Sequence, residues 1–176
     1  QRLLTKIKSG QLKSAENKRK KTREIIEAHL STALQEFKAS NAFTKFQKKM
    51  ICALLYWCEG AKSPYRGVDF TNSDPDLIKL FLDLFRDAFV LDEKKFRVCV
   101  HLHQYHDPEK QLNFWSQITD IPREQFIRPY LKPHTGKRVR ENYPGCIAIR
   151  YHSNDIGRQL LTTAKTFLTN YKRVSS

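Results

Sequence analysis

The sequence predicts an α+β fold in which helices pack on one face of a small β-sheet. Three segments, 67–71, 96–103 and 146–152, alternate apolar and polar residues as half-buried strands do. Segments with apolar residues at helical spacing precede, separate and follow these strands. Because each strand has a single apolar face, we expect the helices on that side of the sheet and an open face on the other.

Residues 1–43 are predicted to form a basic helical arm or linker, and residues 44–176 the folded domain. Between Gln1 and Glu24, nine Lys and Arg stand against two Glu, a net charge of +7. Two interpretations stay open, an arm that lies on DNA and a solvated helix that joins two domains. Since the chain begins with Gln1 rather than Met, we expect it to be part of a longer natural sequence. The apolar residues that follow recur at helical spacing: Ile26, Leu30, Ala33, Leu34 and Phe37.

The segment from Lys45 to Glu59 is the most apolar helix candidate, and its run from Met50 to Cys58 contains no charge. A helix that is apolar on nearly all sides is expected to be buried on nearly all sides. Gly60 follows directly, and we expect it to end the helix in a left-handed conformation.

The next helix and strand have clear boundaries in the sequence. After the strand 67–71, Ser73 or Asp74 can cap a helix and Pro75 suits its first turn. The strand 96–103 then directs alternate side chains to opposite faces. We expect Phe96, Val98, Val100 and Leu102 on the core side, and Arg97, Cys99, His101 and His103 on the other.

The last third of the chain is predicted to add a helix, two strands and a final helix. Asp107-Pro108 begins a helix, and the segment 125–131 is an edge strand, because Pro129 does not suit a central one. A basic loop, 132–143, precedes the strand 146–152, and Ser153 caps the final helix.

The charge of the chain points to a polyanionic partner. Thirty-two Lys and Arg stand against eighteen Asp and Glu, which gives +14 and a pI near 9.8. Such a balance favours nucleic acid. No apolar run approaches the roughly 20 residues of a membrane span, and no signal peptide is visible, so we expect a cytoplasmic protein without membrane contact. The four cysteines show no metal-binding spacing, and we interpret them as reduced, buried thiols.

The open face of the sheet is the predicted site of double-stranded DNA binding. The pleat segregates its Arg and His side chains from the core, and strands can enter the major groove. The alternative is an ordinary solvated sheet face, although such faces usually mix both signs of charge. The predicted DNA-binding residues are Arg66, Arg97, His101, His103, Lys132, Lys137, Arg138, Arg140, Arg150 and His152.

Three histidines in this region also suggest a metal. His101 and His103 share one face of their strand, and His106 and Asp107 follow closely. An H-x-H pair on a strand can bind zinc. No fourth soft ligand has an obvious spacing, and histidines on a DNA-facing sheet need no metal, so the second interpretation is favoured.

The segment Cys52 to Gly60, with its Tyr-Trp-x-Glu-Gly ending, resembles the LAGLIDADG motif of homing-endonuclease-like proteins. The segment 71–75 and the strand with His101 and His103 also resemble that group, so that the resemblance covers roughly residues 45–170. It implies a LAGLIDADG-like fold in which two motif helices pack across a two-fold axis. With one motif per chain, it implies a homodimer.

The resemblance further implies that Glu59 binds Mg²⁺ and supports cleavage of double-stranded DNA. Divalent metal activates water and stabilises the leaving oxygen in such reactions, and carboxylates are ligands that magnesium prefers. The alternative for Glu59 is a polar residue at a helix end. The alternative for the whole protein is a non-cleaving DNA-binding protein or transcriptional regulator. RNA binding is a third and weaker hypothesis, because the strands lack aromatic stacking residues.

Overall fold

The computed structural model describes residues 2–133 and 143–174, in two compact units. The first unit, Gln1–Ala42, consists of one continuous helix, α1 (Arg2–Ala39). Its apolar residues from Ile26 to Phe37 are exposed, and so are all the side chains of α1 whose burial is described, from position 10 onward. The unit carries ten Lys and Arg and four Glu, a net +6 of the total +14.

The second unit, Phe43–Ser176, is the α+β domain that the sequence predicts. Each helix begins where a capping residue accepts backbone N–H bonds. Thr44 forms a capping box with Gln47, while Asp74 and Asp107 cap helices that open with proline. The elements in chain order are α2 (Lys45–Glu59), β1 (Val68–Asn72), α3 (Pro75–Ala88), β2 (Phe96–His103), α4 (Pro108–Thr119), β3 (Tyr130–Lys132), β4 (Cys146–Tyr151) and α5 (Asn154–Val174).

The four described strands form one mixed sheet in the order β1-β4-β2-β3. β4 pairs antiparallel with both neighbours, whereas β3 runs parallel to β2 at the edge. Helices α2 to α5 lie on one face of the sheet, and the apolar residues of β1, β2 and β4 are buried on that side, as their alternation predicts. The edge strand β3 differs, because its Leu131 is 63% exposed. The core between the two layers contains Tyr56, Phe70, Phe81, Phe85, Phe96, Val98, Val100, Leu102, Trp115, Ile147, Ile149 and Leu160.

Two local predictions are wrong. Gly60 has an extended backbone (φ −91°, ψ 168°) rather than a left-handed one. The reason for glycine is space, because a Cβ there would lie 2.3 Å from the ring of Tyr56. The edge strand is shorter than the segment 125–131 and comes later, because a 3-10 turn occupies Arg123–Gln125 and only Phe126 forms an isolated bridge before β3.

Helix α2 is less buried than its composition predicts. Only Cys52, Ala53 and Tyr56 are fully buried, on the side that packs against α3 and α5. Its other apolar residues are partly exposed, and Cys58 is exposed, which corrects the expectation that all four thiols are buried. Among the helices in the described part of the chain, none combines the length and apolar character that crossing a membrane requires.

Candidate nucleic-acid interface

The face of the sheet opposite the helices is formed by alternate residues of the four strands. Its centre contains the small residues Cys99 and Ala148, both nearly buried, and larger polar side chains stand around them. Beside Cys99 lies a shallow depression of about 620 Å³, bordered by Arg128, Tyr130 and Arg150. This surface, here called the open face, consists of Asp69, Thr71, Arg97, Cys99, His101, His103, Tyr130, Lys132, Cys146, Ala148 and Arg150.

Arg97 and Arg150 are cross-strand partners on the open face, yet their guanidinium groups are used differently. Nη1 of Arg97 donates to the carbonyl oxygens of Lys94 (2.8 Å) and Phe96 (2.6 Å), so this side chain folds back along its own strand. Nε of Arg150 instead lies 3.4 Å from Oδ2 of Asp69. The side chain of Arg150 is 44% exposed, so its charge is available to a partner.

The histidines form a cluster with tyrosine rings at one end of the open face. His101 meets Tyr130 edge to face at 5.4 Å, and His103 stacks on Tyr105 at 5.3 Å. Nδ1 of His106 accepts a bond of 3.0 Å from the backbone N–H of His103, so a neutral His106 carries its proton on Nε2. Within the described residues, no group of three or more His, Cys, Asp or Glu side chains is arranged to hold a metal ion.

Burial favours the neutral form of two of these imidazoles, those of His101 and His106. It lowers the pKa of His101, which Lys132 and Arg150 lower further against the opposing charge of Asp69. It also lowers the pKa of His106, assisted by His103 and opposed by a backbone contact with Tyr143. Burial likewise raises the pKa of the Cys146 thiol, which Lys132 partly offsets. His101 and His106 therefore contribute little positive charge near pH 7.

The remaining predicted contact residues lie around this face. Arg66 and His152 are exposed and border a second depression, of about 740 Å³, together with Asp69 and Arg150. Lys132 belongs to β3, opposite His103, rather than to a loop. Sequence reasoning missed Arg128 and Tyr130, which alternation within the edge segment would have assigned to one side. The predicted contacts Lys137, Arg138 and Arg140 lie outside the described residues.

Glu59 is exposed at the C-terminal end of α2. Its Oε2 accepts a bond of 3.1 Å from Nδ2 of Asn72, the last residue of β1. The Oδ1 atom of Asn72 accepts from the backbone N–H groups of Ser73 (2.7 Å) and Asp74 (2.8 Å), which fixes the orientation of the amide. The start of α3 thereby holds the donor that meets Glu59. A carboxylate at this end of a helix is not favoured by the helix dipole.

The tyrosine and glycine of the motif are explained by packing. Tyr56 is fully buried, and its hydroxyl donates to the carbonyl of Ala61 at 2.8 Å while accepting from the N–H of Asp69. Burial raises the pKa of Tyr56, the backbone N–H of Asp69 lowers it, and the Asp69 charge raises it. Gly60 crosses directly over this ring and pairs with Phe70 through a single bridge. These contacts join the end of α2 to β1 and fix where Glu59 emerges.

Part of the apolar surface of α2, here called its outer side, remains accessible. Ile51, Leu54 and Trp57 are partly exposed and Cys58 is exposed. Nζ of Lys62 lies 5.9 Å from the ring centre of Trp57, so this charged side chain contacts the Trp57 end of the outer side. Ile51 and Trp57 also pack against the core, so this outer side is the accessible margin of the apolar surface that α2 contributes to the core.

Comparison of the chain with family models, curated proteins and solved structures returns no match. The resemblance to LAGLIDADG proteins thus depends on the motif from Cys52 to Gly60 and on the order of elements around it.

Proposed function

We propose that this chain is a cytoplasmic DNA-binding protein of the LAGLIDADG homing-endonuclease-like type, whose open face contacts double-stranded DNA. The observation that carries the proposal is the segregation of charge on the sheet. Arg150 and Lys132 stand on the open face and Arg128 borders its depression, while among the described outward-facing strand residues Asp69 is the one acid. Strands of a sheet can enter the major groove, where Arg and Lys can meet phosphates and base edges.

The test is a measurement of DNA affinity against salt concentration. We expect fluorescence anisotropy with a labelled 30-base-pair duplex, a length of about three helical turns, to report binding that weakens steeply with salt. Replacing Arg128 and Arg150 by Ala should weaken binding and reduce the salt slope by about 0.9 per lost phosphate contact.

Lys79→Ala is the matched control, because Lys79 is an exposed cation on α3, in the helical layer. It should leave both affinity and slope unchanged. Equal losses in the control and the double variant would refute binding through the open face. Preference for RNA over duplex DNA in competition would favour the RNA-binding hypothesis instead.

Strand cleavage is a second candidate, supported by the exposed Glu59 and by the apolar outer side of α2. One chain offers a single carboxylate there, which is a poor magnesium site. A homodimer joined through Ile51, Leu54 and their neighbours would bring two Glu59 carboxylates together. Mg²⁺ bound there would activate water and stabilise the leaving oxygen. Asn72 would orient Glu59 by the bond that it already donates.

Two measurements test this candidate. Light scattering at tens of micromolar should report a dimer that Leu54→Asp disrupts, while Leu80→Asp, at an exposed leucine on α3, should not. Supercoiled plasmid with Mg²⁺ or Mn²⁺ should be nicked by the wild type. Glu59→Gln should bind DNA equally well and not cut. A wild type that binds but never cuts favours a non-cleaving regulator, and a Glu59→Gln variant that still cuts refutes the assignment.

A further inference from the structure

Arg150 is the arginine of the open face whose side chain is oriented by a carboxylate. Asp69 and Arg150 are directly opposite each other in the β1–β4 ladder, so the register itself brings them together. Oδ1 of Asp69 accepts from the hydroxyl of Thr71 at 3.4 Å, which leaves Oδ2 turned toward Nε of Arg150. The carboxylate is thus held on its own strand and contacts the inner edge of the guanidinium.

The outer edge of the same guanidinium is available. In the described part of the chain, Arg150 donates no hydrogen bond, so Nη1 and Nη2 have no acceptor there. Its cross-strand partner Arg97 differs, because Nη1 of Arg97 is already bonded to two backbone carbonyls. Of this adjacent pair, Arg150 is the one whose Nη1 and Nη2 groups have no bonded acceptor among the described residues, and its side chain is 44% exposed.

A fork of two parallel N–H donors matches guanine in the major groove, which offers O6 and N7 as two acceptors. Adenine offers N7 beside an N–H donor, and neither pyrimidine offers the same pair. An arginine that is already oriented loses less side-chain freedom on binding. We infer that Arg150, oriented by Asp69, reads a guanine in the major groove and determines sequence specificity. This inference rests on the proposed binding of duplex DNA by the open face.

Asp69 then has two effects of opposite sign. Its carboxylate orients Arg150 and so increases preference for guanine, while its negative charge repels the phosphates and so weakens binding to any sequence. A residue with a merely structural role would affect both properties in the same direction. Separating base preference from overall affinity therefore tests the inference.

The experiment is selection of binding sites from a random duplex library with the full chain, followed by affinity measurements on the selected and on mixed-sequence DNA. The variants are Arg150→Lys, which keeps the charge and removes the fork, and Asp69→Asn, which keeps the shape and removes the charge. The control is Glu109→Gln, because Glu109 forms a similar ion pair with Arg123 (3.2 Å) on the helical side of the sheet. Circular dichroism melting verifies that each variant is folded.

The wild type should select a site with a fixed guanine. Arg150→Lys should lose roughly 5- to 150-fold of the preference for that guanine, the range of one bidentate contact, while binding mixed DNA nearly as well. Asp69→Asn should lose part of the preference and bind mixed DNA about twofold or more tightly. Glu109→Gln should change neither property.

Five outcomes overturn the inference or part of it. A wild-type site without a fixed guanine, or a guanine preference retained in Arg150→Lys, removes the role of Arg150 while DNA binding stands. An Asp69→Asn variant that keeps its preference, or that binds all DNA more weakly, removes the orienting role of Asp69. A wild type that binds no duplex DNA overturns the proposed function together with this inference.

Discussion

Gly60→Ala is predicted to destabilise the α+β domain strongly. The added Cβ would lie 2.3 Å from Cδ2, 2.4 Å from Cε2 and 2.7 Å from the carbonyl oxygen of Tyr56. The ring cannot swing away easily, since it is fully buried and its hydroxyl bonds Ala61 and Asp69. The backbone at Gly60 cannot retreat easily either, because its N–H donates to the carbonyl of Tyr56 at 2.8 Å.

The size of the effect follows from overpacking a rigid contact. Inserting a methyl group into a well-packed core typically costs about 1–3 kcal/mol, and occasionally more. The contacts of Gly60 are with a fixed ring and with backbone, so we expect the upper end, about 3 kcal/mol or more. For a domain of this size, that lowers the melting temperature by roughly 10 °C, which thermal unfolding monitored by circular dichroism measures directly.

Gly10→Ala is the control for this prediction. Gly10 lies within α1, where a Cβ would meet nothing within 4 Å. The same substitution should therefore stabilise α1 by up to about 1 kcal/mol, because alanine is the better helix former. If Gly60→Ala melts within about 2 °C of the wild type, the Tyr56 contact is not rigid and the packing explanation of the motif glycine fails.

Three further predictions follow from burial and capping. Burial lowers the pKa of His101 and His106 below 6.5, so both contribute stability above that pH, and this stability is lost as the pH falls through the lowered pKa values. The melting temperature should therefore drop between about pH 7.5 and 5.5, and the drop should be smaller in His101→Gln. Cys58 should react with a thiol reagent far faster than Cys52, whose pKa burial raises to about 12, and mass spectrometry of the labelled protein decides this. Asp74→Ala should cost about 1 kcal/mol in denaturant unfolding, because the Asp74 side chain caps α3.

The sequence predicted the faces of the strands better than their partners. A strand with one buried face has a period of two, so Val98 and Ile149 inside, with Arg97 and Arg150 outside, follow directly from the pattern. Helix starts were equally local, since Asp74 acts on backbone groups two and three residues later. Both signals are contained in a few consecutive residues and need no knowledge of the tertiary fold.

The contacts that distinguish Arg150 from Arg97 could not be predicted from the alternation of apolar and polar residues, because they depend on strand pairing and on side-chain conformation. The order β1-β4-β2-β3 brings Asp69 beside Arg150 although the two residues are 81 positions apart in the chain, and no periodicity encodes that register. Alternation also cannot tell that Arg97 bonds the carbonyls of Lys94 and Phe96 instead of projecting outward. The same limit applies to Gly60, whose requirement depends on where the Tyr56 ring lies.

Some residues of the motif from Cys52 to Gly60 are required for folding of the domain, and others are not. Tyr56 and Gly60 are fixed by contact with each other, so their presence is accounted for without any ligand. Glu59 is not accounted for in this way, because it is exposed, faces the unfavourable end of the helix dipole and bonds only a surface amide, that of Asn72, among the described residues. Replacing it should cost the domain little stability. A functional explanation of the motif therefore depends on Glu59. Because the Glu59→Gln variant should still fold, a change in its DNA cleavage can be attributed to the lost carboxylate rather than to unfolding.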